Sequence, residues 1–89
     1  MKKKIAVLVR DRQAEALRMA VGLTLEDDEV DVFIMDRKLA DDEAVALNLE
    51  TLKELDIRIR TNNPENKFEL MATDDIAREL VHFDSVIPY

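Results

Sequence analysis

The chain contains no cysteine, one glycine (Gly22), one histidine (His82) and two prolines (Pro64 and Pro88). Without cysteine there is no disulfide framework, no thiolate zinc site and no nucleophilic thiol. One histidine without cysteine supplies no metal-ligand spacing, and a single glycine excludes the glycine-rich turns that bring backbone close to phosphate. No cofactor is expected. No apolar run approaches the length of a membrane span. Met1-Lys2-Lys3-Lys4 ahead of Ile5 to Val9 has the outline of a secretory signal, but the apolar run is too short and Arg10 stops it. Together with the missing thiols this predicts a cytoplasmic protein.

What is present is charge and a modest core. A net charge of −7 argues against nucleic acid or an anionic membrane as partner, since both require a basic surface. The 47% apolar residues are clustered periodically, which argues against disorder, while 37% charged residues make the surface ionic. The 89 residues read as one domain over 1–89, near the small end of what a single core stabilises without help. Oligomerisation is therefore expected.

Ile5 to Val9 is short, continuous and rich in β-branched residues, the pattern of a strand buried on both faces. Gln13 to Leu25 is dominated by helix formers. Ala14, Leu17, Val21 and Leu25 form one stripe on it, and Ala16, Met19 and Leu23 form a second beside Ala20. An arc that wide predicts burial on more than one side. Val30 to Met35 is a second strand with one polar position, Asp31. Asp41-Asp42-Glu43 starts a helix running to about Leu55, with Val45, Leu49, Leu52 and Leu55 inward. Asn48 falls in that stripe, and a buried amide satisfied by backbone explains it.

Asp56 to Arg60 alternates, predicting a third strand with one polar face, and Asn62-Asn63-Pro64 breaks it. Phe68, Leu70 and Met71 form an apolar patch in a loop or short helix. Thr73-Asp74-Asp75 predicts a hydroxyl-capped helix with Ile76, Ala77, Leu80 and Phe83 inward, and Val86 to Tyr89 is a last strand.

The β-α-β-α-β-α-β order predicts an α/β fold: one parallel sheet of about four strands, flavodoxin-like and three-layered, in order 2-1-3-4. Handedness then places the first helix on one face and the other two on the opposite face. Arg58 and Arg60 project toward the face with one helix. Ala16, Met19 and Leu23 of the first helix, with Arg58, are the expected association surface, and Gly22 permits close helix approach; the competing reading is a strip of solvent-exposed Ala and Met.

The chain resembles the DsrE/DsrF/DsrH-like family, small α/β subunits of bacterial sulfur-relay complexes. The resemblance runs through Lys4 to Leu25, Val30 to Asp36, Leu52 to Thr61, and above all the ending Ile76-Ala77-Arg78-Glu79-Leu80-Val81-His82-Phe83-Asp84-Ser85-Val86-Ile87. Active members carry a persulfide-bearing cysteine just after the strand matching Ile57 to Arg60. Here that slot falls at Thr61 or Asn62. An amide is not nucleophilic, and a threonine needs an activating base that no neighbouring histidine supplies. The stretch from Asn62 to Met71 is also short for the family. The resemblance thus implies a non-catalytic scaffold, in homo-oligomers or in hetero-oligomers with other DsrE-like subunits, associated with sulfur relay.

The alternative is a binding site for a small anion or nucleotide beyond the carboxyl ends of the strands. Arg10, Arg12, Arg37 and Arg60 would converge there between the first and third strands, with Asn62 donating hydrogen bonds. The competing reading is a solvated charged rim. Asp11 and Asp36 are placed to hold Mg2+, although the adjacent arginines are the simpler partners, and a glycosidase-type carboxylate pair has no support. His82 late in the last helix fits a capping or surface role, and Tyr89 has no catalytic neighbour.

Overall fold

The computed structural model describes residues 3–89; Met1 and Lys2, and with them the start of the signal-like segment, lie outside the described residues. The elements are β1 (Lys4–Val9), α1 (Gln13–Leu25), β2 (Glu29–Ile34), α2 (Glu43–Glu54), β3 (Arg58–Thr61), β4 (Glu69–Leu70), α3 (Thr73–Leu80) and β5 (Ser85–Pro88). All strand pairs are parallel, in order β4-β3-β2-β1-β5. The fold is α/β, with five strands in one parallel sheet and three helices.

β1 is internal, as its continuous apolar sequence predicts, but its second neighbour is β5 and not β3. The expected order 2-1-3-4 took β1 as the internal strand of a shortened flavodoxin-like sheet, which placed β2 at an edge. In the structure Arg60 of β3 pairs with Asp31, so β2 can be buried on both sides. Val30, Val32 and Ile34 face one way, and Phe33 and Met35 the other. The fifth strand, β4, is a two-residue edge within the predicted Phe68 to Met71 patch. That patch is split: Phe68 packs against the α1/α2 face, Met71 against the other, and Leu70 is exposed.

The helix layers change with the order. Successive steps from β1 to β2 to β3 run in one direction, so right-handed crossovers place α1 and α2 on the same face. Their Ala16, Leu17, Ala20, Val45 and Leu52 pack on Val7, Val9, Val32 and Ile59. α3 returns across the sheet to β5 and covers the opposite face, where Ile76, Leu80 and Phe83 meet Ala6, Leu8 and Phe33. Eight residues make a helix about 12 Å long, so that face is thinly covered. Arg58 and Arg60 do project toward the one-helix side, but the helix there is α3 and not α1.

Local chemistry explains the boundaries. Asp42 caps α2 by accepting from the Ala44 and Val45 N–H groups at 2.7 and 3.3 Å. Asn48 donates to the Ala14 carbonyl at 3.3 Å, so its amide joins α2 to α1 as expected. α3 differs from expectation: Ala72 holds the cap position, Thr73 is the first helical residue and Ala77 is exposed. With one glycine in the chain, aspartates take the left-handed positions. Asp27 after α1, Asp36 after β2 and Asp56 after α2 have φ of 71°, 67° and 57°, a conformation that short polar side chains tolerate better than others.

Candidate functional site

The carboxyl rim of the sheet is formed by the segments after β1, β2 and β3. Two amides immobilise the segment after β2. Asn62 accepts the Asp36 N–H at 2.6 Å and donates to the Asp36 carboxylate at 2.9 Å and to Thr73 Oγ1 at 2.9 Å. Asn63 donates to the Asp36 carbonyl at 3.3 Å. Asp36 is thereby gripped through backbone and side chain, which holds its left-handed conformation. The Asn62 hydrogen bond, followed by that from Arg10, keeps its carboxyl below the ordinary value of 3.8.

Beneath this grip lies a buried polar knot. Thr61 Oγ1 donates to the Ile34 carbonyl at 2.7 Å and accepts from the Asn63 N–H and from Asn66 Nδ2, each at 3.1 Å. That uses the donor and both acceptor positions of a hydroxyl. Buried Asn66 also donates to the Arg37 carbonyl at 2.9 Å and accepts from the Leu39 N–H at 2.8 Å. Gln13 does the same work at the start of α1, donating to the Arg10 and Lys38 carbonyls and accepting from the Ala40 N–H at 2.7 Å. The rim segments are thus bound to one another by side-chain amides, as buried polar groups require.

The arginines proposed to converge on a ligand are dispersed. β2 lies between β1 and β3, so there is no switch point between the first and third strands. Arg10 pairs with Asp36 at 3.3 Å and Arg37 with Asp11 at 2.5 Å, a crossed exchange between the ends of β1 and β2. The carboxylates weighed for Mg2+ therefore hold arginines, as adjacency in sequence suggested. Arg60 is buried on the α3 face, 1% exposed, stacked 4.5 Å from the Phe33 ring centroid. It pairs with Asp31 and, at 3.5 Å, with Glu79, while its Nε is buried without an acceptor. Arg12, at the cap position of α1, is exposed and has no ion-pair partner among the described residues. His82 is exposed in the turn after α3.

The expected association residues also separate. Ala16 is fully buried against the sheet, Leu23 is half-buried and Met19 is exposed. Arg58 lies on the opposite side of the sheet in a two-point bond to Glu69, donating at 3.2 and 2.8 Å. α1 is rotated so that Gln13, Ala16, Leu17 and Ala20 face inward, because small alanines let the helix sit close to the strands. Leu25, expected inward, is 72% exposed. A cleft of about 510 Å3 opens where the outer flank of α1, from Arg18 and Met19 to Gly22, Leu23 and Glu26, meets Tyr89. Tyr89 donates its hydroxyl to Met19 Sδ at 3.2 Å, closing the floor.

Asn66, Gln13, the Asn62–Thr73 bond and the Asp31–Arg60 pair are not among the site features expected from sequence. The signal for the amide knot was the run Thr61-Asn62-Asn63-Pro64-Glu65-Asn66, with three asparagines in six positions. For Asp31 and Arg60 the signal appears only once β2 and β3 are known to be neighbours. No protein-family model, no curated protein and no solved structure matches this chain.

Proposed function

We propose that this chain is a non-catalytic, DsrE-like subunit that acts as a scaffold, assembling with copies of itself or with other DsrE-like subunits in a sulfur relay. The observation that carries the reading is the coordination of Thr61. Thr61, one of the two positions that the resemblance sets against the family's thiol, is a buried hydroxyl whose proton is given to the Ile34 carbonyl and whose lone pairs accept from Asn63 and Asn66. Such a group has neither a base to activate it nor free acceptor capacity for a substrate. Its neighbour Asn62 is equally engaged with Asp36 and Thr73.

With Arg10, Arg37, Thr61 and Asn62 of the carboxyl rim engaged in internal bonds, the α1 flank offers an exposed surface whose charges have no ion-pair partner among the described residues. Small size adds to the case, because a partner completes the burial that a short chain achieves only in part. Sedimentation equilibrium of the purified chain from about 1 µM to about 1 mM tests this through mass action. Concentration-dependent association is expected, and a monomer throughout would contradict assembly with copies of itself.

A further inference from the structure

We infer that two copies of this chain pair across a two-fold axis through α1, the two helices antiparallel and crossing at Gly22. The contact rests on the reading of the chain as an assembling subunit and names the partner as a second copy.

Gly22 is the first reason. It sits inside α1, is exposed, and has no left-handed φ that would require glycine. A Cβ built there meets nothing within 4 Å. Alanine would fit the isolated chain and favour the helix. The missing side chain therefore serves nothing inside one copy, whereas it lets a helix approach closely from outside.

The residues around Gly22 supply the second reason. Four positions before it stands Arg18 and four after it Glu26; three before it stands Met19 and three after it Leu25. A two-fold antiparallel crossing at Gly22 sets Arg18 against the partner's Glu26 and Met19 against the partner's Leu25, and each pairing occurs twice. Such self-complementarity is what an isologous interface demands. A parallel pair would oppose like charges. Neither Arg18 nor Glu26 has an ion-pair partner among the described residues, and Met19 and Leu25 are the large apolar side chains that α1 exposes, at 36% and 72%. The cleft that Met19, Gly22, Leu23 and Tyr89 line together receives the partner's Leu25.

The sheet edges are short of material for extension. Tyr89 donates its N–H to the Leu8 carbonyl, so the preceding Pro88 directs its nitrogen to the free edge, where it has no donor to offer. β4, at the other edge, is two residues long.

Charge exchange tests the geometry by sedimentation equilibrium, with circular dichroism confirming the fold of each variant. Arg18→Glu and Glu26→Arg should each weaken the dimer by about tenfold or more. Their equimolar mixture should form a heterodimer, and the double variant R18E/E26R should dimerise again. Gly22→Ala should weaken the dimer while raising the melting temperature of the monomer by about 4 °C. A mixture that stays monomeric, or a Gly22→Ala dimer of unchanged affinity, would overturn the inference. An oligomer indifferent to all these changes would overturn the α1 contact and leave the assembly role standing, whereas a monomeric wild-type chain would remove the α1 contact and the homo-oligomeric role together.

Discussion

The carboxyl rim of the sheet and the outer flank of α1 are both rich in charge, and their charges are in opposite conditions. At the rim Arg10, Arg37, Asp11 and Asp36 are exchanged between strand ends, and Thr61, Asn62 and Asn66 are hydrogen-bonded to neighbouring segments of the chain. On α1, Arg18 and Glu26 face solvent beside exposed Met19 and Leu25. A charged surface at the position where a parallel sheet ordinarily binds ligands is therefore no sign of a ligand site. Apart from Arg12, what distinguishes the two regions is whether the charged groups already have partners.

The largest test of the rim is Arg60. Removing one member of a buried ion pair leaves the other without compensation, so Arg60→Ala should cost about 3 kcal/mol or more in urea unfolding. The double variant D31L/R60M replaces both charges with apolar bulk and should recover most of that loss. If the single and double variants are equally unstable, Asp31 is not what holds Arg60 in the sheet. Next comes Asn66→Ala, which strands the Leu39 N–H and the Arg37 carbonyl and should cost about 2 kcal/mol. A loss no greater than for a surface alanine would mean that the knot is not structural.

Smaller, and more specific, is the effect of Asn62 on Asp36. Asp36 is held below its ordinary value by Asn62 first and Arg10 second, and Glu69 is lowered chiefly by its hydrogen bond from Arg58. A carboxylate lowered by folding lends stability that is present above its unfolded value and disappears as pH falls through the folded one. The rim should therefore loosen below about pH 4. Asn62→Ala should move the Asp36 titration upward, seen in its carboxyl NMR signal, and cost about 1 kcal/mol at neutral pH. An unmoved midpoint would assign the lowering to Arg10 instead.

How far these features were legible follows from which interactions are local. α1 spans Gln13–Leu25 as its composition predicts, and the Asp42 cap and the backbone bond of Asn48 were readable because each depends on nearby periodicity. The strand order was not readable, because the apolar run of β1 shows that it is internal but not which strands flank it, and the Asp31–Arg60 pair that joins β2 to β3 spans 29 positions. The wrong order in turn put α1 on the wrong face and grouped Arg58 with residues on the far side of the sheet. The amide knot stayed hidden for the same reason: Asn66 and Asn62 bind loops that only the true order brings together. Likewise, aspartates in left-handed turns are visible only from the shortage of glycine, which does not say which residues substitute for it.

The contrast between a closed rim and an open helix flank meets its most direct test in backbone amide NMR shifts recorded as the chain is concentrated from about 10 µM to about 1 mM, where mass action drives assembly. The account predicts shifts confined to α1, centred on Arg18 to Glu26, and to Tyr89, with Asp36, Asn62 and Asn66 unmoved. Shifts centred on the rim, or no shifts over the whole range, would contradict it.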